Sequence, residues 1–159
     1  MYLARRLVRI AAEDVGLADP GALRITVAAR DAYHFLGSPE GDLALAQACL
    51  YLATAPKSNR AYIAFAAARQ LARDTPAAAV PHHRRNAPTS LMKDLGYGEG
   101  YRYDHDEPDG VADQSYLPDG VGSPPMYTPT DRGYEARLVE RLNQWAEARR
   151  RRDSDTADR

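Results

Sequence analysis

A single cysteine, Cys49, stands in 159 residues. No internal disulfide can staple the chain, which fits a reducing compartment. Cys49 lies inside the apolar run 43–55, where a buried small hydrophobe is expected rather than a nucleophile. Lysine is almost missing too: of 21 basic residues only Lys57 and Lys93 are lysines. No apolar run approaches the roughly 20 residues that a membrane span needs. Arginines interrupt residues 1–9 before a signal-peptide apolar region could form. The expectation is a cytoplasmic protein without a membrane partner.

The loops that carry common chemistries are also missing. No G-x-x-x-x-G-K-[ST] cradle for phosphates exists. Lys57-Ser58 resembles its end, but Ala55-Pro56 stand where glycine is required. There is no G-x-S-x-G, H-E-x-x-H or paired C-x-x-C. Asp104-His105-Asp106-Glu107-Pro108-Asp109-Gly110 invites a calcium reading. Counted from Asp104, however, Asp109 takes the glycine position and Ser115 the final glutamate position. A solvated acidic turn is the expectation. His82, His83 and His105 would make a zinc site only if the fold gathered them, and no thiol assists.

What is present is ordinary for a folded chain: 44% hydrophobic and 27% charged residues. The length suffices for one domain with a real core. Net charge is −1, but unevenly spread. Residues 1–103 hold 13 basic and 9 acidic side chains, whereas residues 104–159 hold 8 and 13. No Lys or Arg occurs between Arg102 and Arg132. That stretch repels phosphate, so nucleic-acid contact must lie elsewhere.

Periodicity predicts a mainly α protein, with four consecutive helices over 1–73. Leu3, Leu7 and Ile10 share one helical stripe, and Ala4, Val8, Ala11 and Val15 form another beside it. Gly16 ends this helix. Asp19-Pro20 caps and starts a second, carrying Leu23, Val27 and Tyr33, and Ser38-Pro39 repeats the signal for a third. The third is apolar on nearly every side and is therefore expected to be buried all round, at the centre of a bundle. Pro56 stops it. A fourth helix carries Ala61, Phe65, Ala68 and Ala72. Met1-Tyr2-Leu3 begins in phase with no cap before it, which predicts a piece of a longer protein.

Residues 74–129 read as a proline-rich connector, a short helix at 91–95 capped by Asn86, and a long irregular segment. That segment carries Tyr97, Tyr101, Tyr103, Tyr116 and Tyr127, whose rings can be buried while the hydroxyls stay wet. Tyr101-Arg102-Tyr103 suggests a short strand. Thr130 is expected to cap a last helix over 130–148, with Tyr134, Leu138, Leu142 and Trp145 on one face. Residues 149–159 read as a charged, disordered tail. The domain so delimited is 1–148.

Taken in order, AEDVGLADP, GSPEG, LATAPKSN, RNAPTSLMKDLGYGEGYRYDHDE, YLP and PTDRGYEARL resemble the C-terminal region of the RarA/MgsA family of replication-associated recombination ATPases. The Werner-helicase-interacting ATPase is its eukaryotic relative. APKSN at 55–59 and RNAPT at 85–89 are the most telling stretches. The chain departs from the family at Arg84, where leucine is usual, and at Ala66, where lysine is common.

The resemblance implies a clamp-loader-collar-like helical bundle that holds subunits together as a homotetramer. The AAA+ domains, with their ATP and magnesium, would lie N-terminal to it. DNA and single-strand-binding protein would be partners of the whole protein, at the nucleoid and replication fork. Leu3, Leu7, Val8 and Ala11 are the candidate subunit contacts. The alternative is a module that binds DNA or single-strand-binding protein through basic loops at 56–60 and 82–93. Its candidates are Lys57, Asn59, Arg60, Arg85, Asn86 and Lys93, with Arg84 nearby. A metal-dependent enzyme at 82–107 is a third reading. No catalytic, cofactor or metal residue is assigned to the chain. Because the phosphate cradle is missing, calorimetric titration with magnesium-ATP is expected to give no saturable heat. A micromolar binding isotherm would overturn that.

Overall fold

A computed structural model describes residues 1–107, 110, 112 and 114–157, the last seven by backbone only. The architecture is mainly α, with six helices and, among the described residues, no strand. Two compact units divide the chain. The first holds Met1–Arg69 and Met126–Leu142, and the second holds Gln70–Pro125 and Asn143–Arg159.

The first unit is built on α1 (Tyr2–Ile10), α2 (Gly21–Leu36) and α3 (Asp42–Thr54). A π-helical turn, Ala11–Val15, prolongs α1 to Gly16. Asp19 starts α2 as its sequence predicts: one carboxylate oxygen accepts the Gly21 N–H at 2.9 Å. The other accepts the Tyr51 hydroxyl at 2.6 Å, tying α2 to α3. That bond, with some burial, raises the Tyr51 phenol above its ordinary pKa. Ser38-Pro39 does not start α3 in the same way. Gly41 precedes the helix, and the Ser38 hydroxyl donates to the Asp42 carboxylate at 2.8 Å.

The core is made of small side chains. Ala4, Leu7, Ala11, Val15, Ala22, Ala29, Leu45, Ala48 and Leu52 form one buried cluster. On α2 the buried face is Ala22, Thr26 and Ala29, not the Leu23 and Val27 expected from size; Leu23 is exposed. Alanines let helix axes approach closely. Thr26 fits the same seam because its hydroxyl donates back to the Ala22 and Leu23 carbonyls.

The third helix corrects a second expectation. It is not buried all round. Leu45, Ala48 and Leu52 face the core, while Leu43 is 75% and Leu50 70% exposed, and Cys49 is exposed with them. The fourth helix, α4 (Arg60–Asp74), is present but buries no residue.

The second unit has little apolar interior: among its described residues only Pro81 and Ala112 are buried. Thr89, rather than Asn86, caps α5 (Ser90–Asp94), its side chain accepting the Met92 N–H. The helix closes with paired bonds from Gly96 N–H to the Lys93 carbonyl and from Tyr97 N–H to the Met92 carbonyl. The expected strand at 101–103 is replaced by a side chain. The Gln114 amide accepts from Arg102 N–H at 3.3 Å and donates to the Arg102 carbonyl at 2.7 Å, acting as a one-residue strand partner.

The last helix, α6, is Tyr134–Ala157. It begins four residues beyond Thr130 and continues past Arg149, where the sequence places the start of a tail. Asp158 and Arg159 of that tail lie outside the described residues, as do Pro108 and Asp109 of the acidic turn.

Gly133, just before α6, has φ +54°, and a Cβ there would run into the Ala18 carbonyl oxygen and the Pro56 ring. Gly120 also has a positive φ, +80°, but nothing within 4 Å of such a Cβ. Gly120→Ala is expected to cost only the conformational penalty of about 1–2 kcal/mol. Gly133→Ala adds a backbone collision and should cost clearly more, read as a larger drop in the urea midpoint at unchanged m.

Candidate functional site

The most organised polar cluster of the first unit surrounds Glu135, whose side chain is completely buried. Its carboxylate accepts from the Thr130 N–H at 2.8 Å, the Thr130 hydroxyl at 2.7 Å and the Tyr127 hydroxyl at 2.8 Å. The Ser58 hydroxyl lies near enough to help lower its pKa. Burial alone would raise this carboxyl's pKa. The Thr130, Tyr127 and Ser58 groups outweigh burial and hold it below its usual value. Tyr127 moves the other way: burial, then its bond to a carboxylate, pushes its phenol up. Thr130 is thus no simple helix cap. It belongs to the turn ahead of α6, and its hydroxyl also accepts the Arg132 N–H.

Ser58 carries the arrangement into the 55–59 loop. Its side chain is buried, its N–H donates to the Asp14 carbonyl at 2.8 Å, and its own carbonyl backs onto Gly16. Arg132 donates to the Lys57 carbonyl at 3.1 Å. The two stretches APKSN and PTDRGYE, distant in sequence, therefore meet beside one carboxylate. Sequence reasoning missed Glu135, because a glutamate in a first helical turn ordinarily reads as a solvated partner of the helix dipole. The detectable signal was the pairing of two hydroxyl-bearing stretches, Tyr127–Thr130 and Ser58, with one acid.

The candidate basic residues fall in both units, and each group is described by itself. Lys57 turns back on its own helix end: its ammonium donates to the Leu52 and Ala55 carbonyls that α3 leaves unpaired. Asn59 is exposed and Arg60 half-buried at the start of α4. Both line a cleft of about 590 Å³ with Ile10, Asp14, Thr130 and Arg132.

In the second unit Arg85 lies over the Tyr97 ring, 5.0 Å from its centroid, and donates to the Val80 carbonyl. Asn86 and Lys93 are exposed. Arg84, the departure from the family pattern, sits over both Tyr101 at 5.2 Å and Tyr116 at 4.5 Å. Stacked guanidinium replaces the apolar contact a leucine would make. Tyr101, Tyr103 and Tyr116 stay about half exposed rather than burying their rings.

The histidines are not gathered into a metal site. His82 meets the Tyr97 ring edge-on, His83 bonds the Ser115 carbonyl and His105 lies against Tyr103. Among the described residues no group of three His, Cys, Asp or Glu could hold an ion. Asp104 is engaged by its own loop, accepting the Ala112 N–H at 2.7 Å.

The candidate subunit contacts divide. Leu7 and Ala11 belong to the core of this chain and cannot also cover a neighbour, whereas Leu3 is exposed and Val8 half-buried.

An alanine-rich core, a polar joint at Glu135 and six helices with no strand among the described residues define a mainly α helical domain. The chain belongs to the family of MgsA AAA+ ATPase C-terminal regions, whose model matches residues 1–146. Over 148 residues it is 50% identical to the Replication-associated recombination protein A of Haemophilus influenzae, covering 92% of this chain and 33% of that protein. The protein of the same name from Escherichia coli K12 is 49% identical over the same shares. ATPase WRNIP1 of Dictyostelium discoideum is 46% identical over 123 residues, 76% of this chain and 14% of its own length. The chain thus spans about a third of the bacterial relatives it matches.

The lowered pKa of Glu135 has a definite sign in stability. Its contribution is complete above the unfolded carboxyl value near 4.3 and is lost as pH falls below that toward the lower folded value. Tyr127, raised in the fold, contributes fully below the unfolded phenol value near 10 and loses that contribution as pH rises beyond it. Glu135→Gln leaves donors facing an amide that cannot accept from all of them. It should cost about 2–4 kcal/mol and flatten the acid limb of a stability–pH curve. An unchanged acid limb would remove Glu135 from this role.

Proposed function

We propose that this chain is the self-associating C-terminal module of a AAA+ ATPase acting in replication-associated recombination, and that it carries no catalysis itself. In this reading its copies hold the ATPase subunits together as a homotetramer. ATP and magnesium belong to domains N-terminal to it, and DNA and single-strand-binding protein are partners of the whole protein in the cytoplasm. The family and the names of its relatives support the setting. One structural observation supports self-association: large apolar side chains stand exposed on α1, α2 and α3 while alanines fill the core. Monomeric surfaces rarely leave such area uncovered. No helix among the described residues is long and apolar enough to cross a membrane.

The alternative reading, direct binding of nucleic acid or an acidic tail through the basic loops, loses support where Lys57 and Arg85 are engaged by their own chain. Salt separates the two. Phosphate contacts weaken steeply with ionic strength, whereas an apolar subunit interface does not. Sedimentation equilibrium from micromolar to hundred-micromolar chain should show an oligomer, with a tetramer as the limit, that survives high salt. A monomer throughout would sink the proposal.

A further inference from the structure

The outward face of α3 has an internal symmetry that its composition hides. Leu43, Ala46, Leu50 and Ala53 recur at spacings of three and four, the two positions per heptad that line a helix–helix seam. All four are exposed. They lie opposite the buried Leu45, Ala48 and Leu52. Large and small residues alternate along this line. If a second α3 is laid antiparallel with the two-fold axis at position 48, Leu43 faces Ala53 of the other copy and Ala46 faces Leu50. Each leucine then meets an alanine at every level, the large-into-small arrangement that lets two helices approach closely.

Charge argues for the same occupant. In an isologous contact each side chain meets the same surface on its partner, so like charges near the axis are brought together. The exposed side of α1 carries Arg5 and Arg6, and α4 carries Arg69 and Arg73. The thirteen residues of α3 include one charge, Asp42. In the register above, Asp42 at the N-terminus of one helix falls beside Thr54 at the C-terminus of the other, away from the axis. Phe35, 87% exposed, and Leu36 stand at the end of α2 that leads into α3.

We propose that the Leu43–Ala46–Leu50–Ala53 face of α3 is a two-fold contact with a second copy of this chain, antiparallel and centred on position 48. This rests on the self-association proposed above and names its surface. Two measurements on the 159-residue chain test it. Leu43→Lys combined with Leu50→Lys, substitutions at exposed positions, should at least halve the sedimentation mass while leaving the helical circular dichroism intact. In a Cys49→Ser background, chains bearing Ala46→Cys mixed with chains bearing Leu50→Cys should oxidise to a mixed disulfide dimer. Either chain alone should do so several-fold less. A wild-type chain that is monomeric at every concentration overturns self-association and this contact together. A wild-type oligomer unaffected by the lysines, or a mixture that cross-links no better than its components, overturns the α3 contact alone. It would give that face to another occupant, such as the N-terminal domains.

Discussion

A carboxylate without access to water is the constraint around which the first unit closes. Removing Glu135 from solvent costs several kcal/mol unless its lone pairs are met. Three donors meet them, the Thr130 backbone N–H and the hydroxyls of Thr130 and Tyr127, and the Ser58 hydroxyl adds its dipole nearby. Ser58 and Thr130 belong to stretches far apart in the chain, so the joint is complete only when the 55–59 loop and the start of α6 are both in place. The neighbouring contacts are equally specific. Ser58 N–H reaches the end of the π-helical turn at Asp14, Arg132 reaches the Lys57 carbonyl, and Gly133 lies against Ala18 and Pro56. Two of the stretches that carry the family resemblance, at 55–59 and 129–135, thus supply parts of one joint.

The alanine seam has a consequence for what is left outside. Five of the nine core residues are alanines. Such a seam brings helices close, and the α3 leucines that enter it are Leu45 and Leu52, on the face away from Leu43 and Leu50. Leu43, Leu50 and Phe35 remain in water, where each forgoes the roughly 1.5–3 kcal/mol that full burial would bring. The helix α3 turns Leu45, Ala48 and Leu52 inward and leaves Leu43, Ala46, Leu50 and Ala53 outward. Uniform apolarity in α3 is in this sense two half-faces, one buried and one exposed.

That distinction marks the limit of what could be read in the residues. The first four helices were legible, because Gly16, Asp19 and Pro56 act locally through backbone chemistry, whereas the starts of α3, α5 and α6 and the end of α6 were not. Which side of α3 faced the core was not. Periodicity locates a face only when the opposite face is polar, and here Leu43 and Leu45 look alike. Lys57 and Glu135 were illegible for a related reason. A charged residue near a helix end reads as solvated, and only tertiary placement shows the ammonium capping α3 or the carboxylate sealed under Tyr127. The irregular segment was legible as tyrosine-bearing but not in its bonding. Gln114 completing the Arg102 backbone and Arg84 between Tyr101 and Tyr116 are pairings at separations that no local pattern announces.

The second unit is held by a different balance of forces. With Pro81 and Ala112 its only buried residues among those described, apolar burial supplies little. Its cross-links are stacked guanidinium groups, the Arg102–Glu107 pair at 2.6 Å, the Asp104 bond to Ala112 and the two-way Gln114 bond. At surface exposure each such contact contributes on the order of 0.5–1 kcal/mol. Together they offset the ordering of a long irregular segment far less securely than a core does. Local opening free energy follows buried apolar contact, so this unit opens more readily than the Glu135 joint. An arginine at position 84 suits that setting better than leucine would on such a surface. Its guanidinium covers two half-exposed rings while remaining hydrated at its edge, and it adds a contact without demanding a core that the segment does not have.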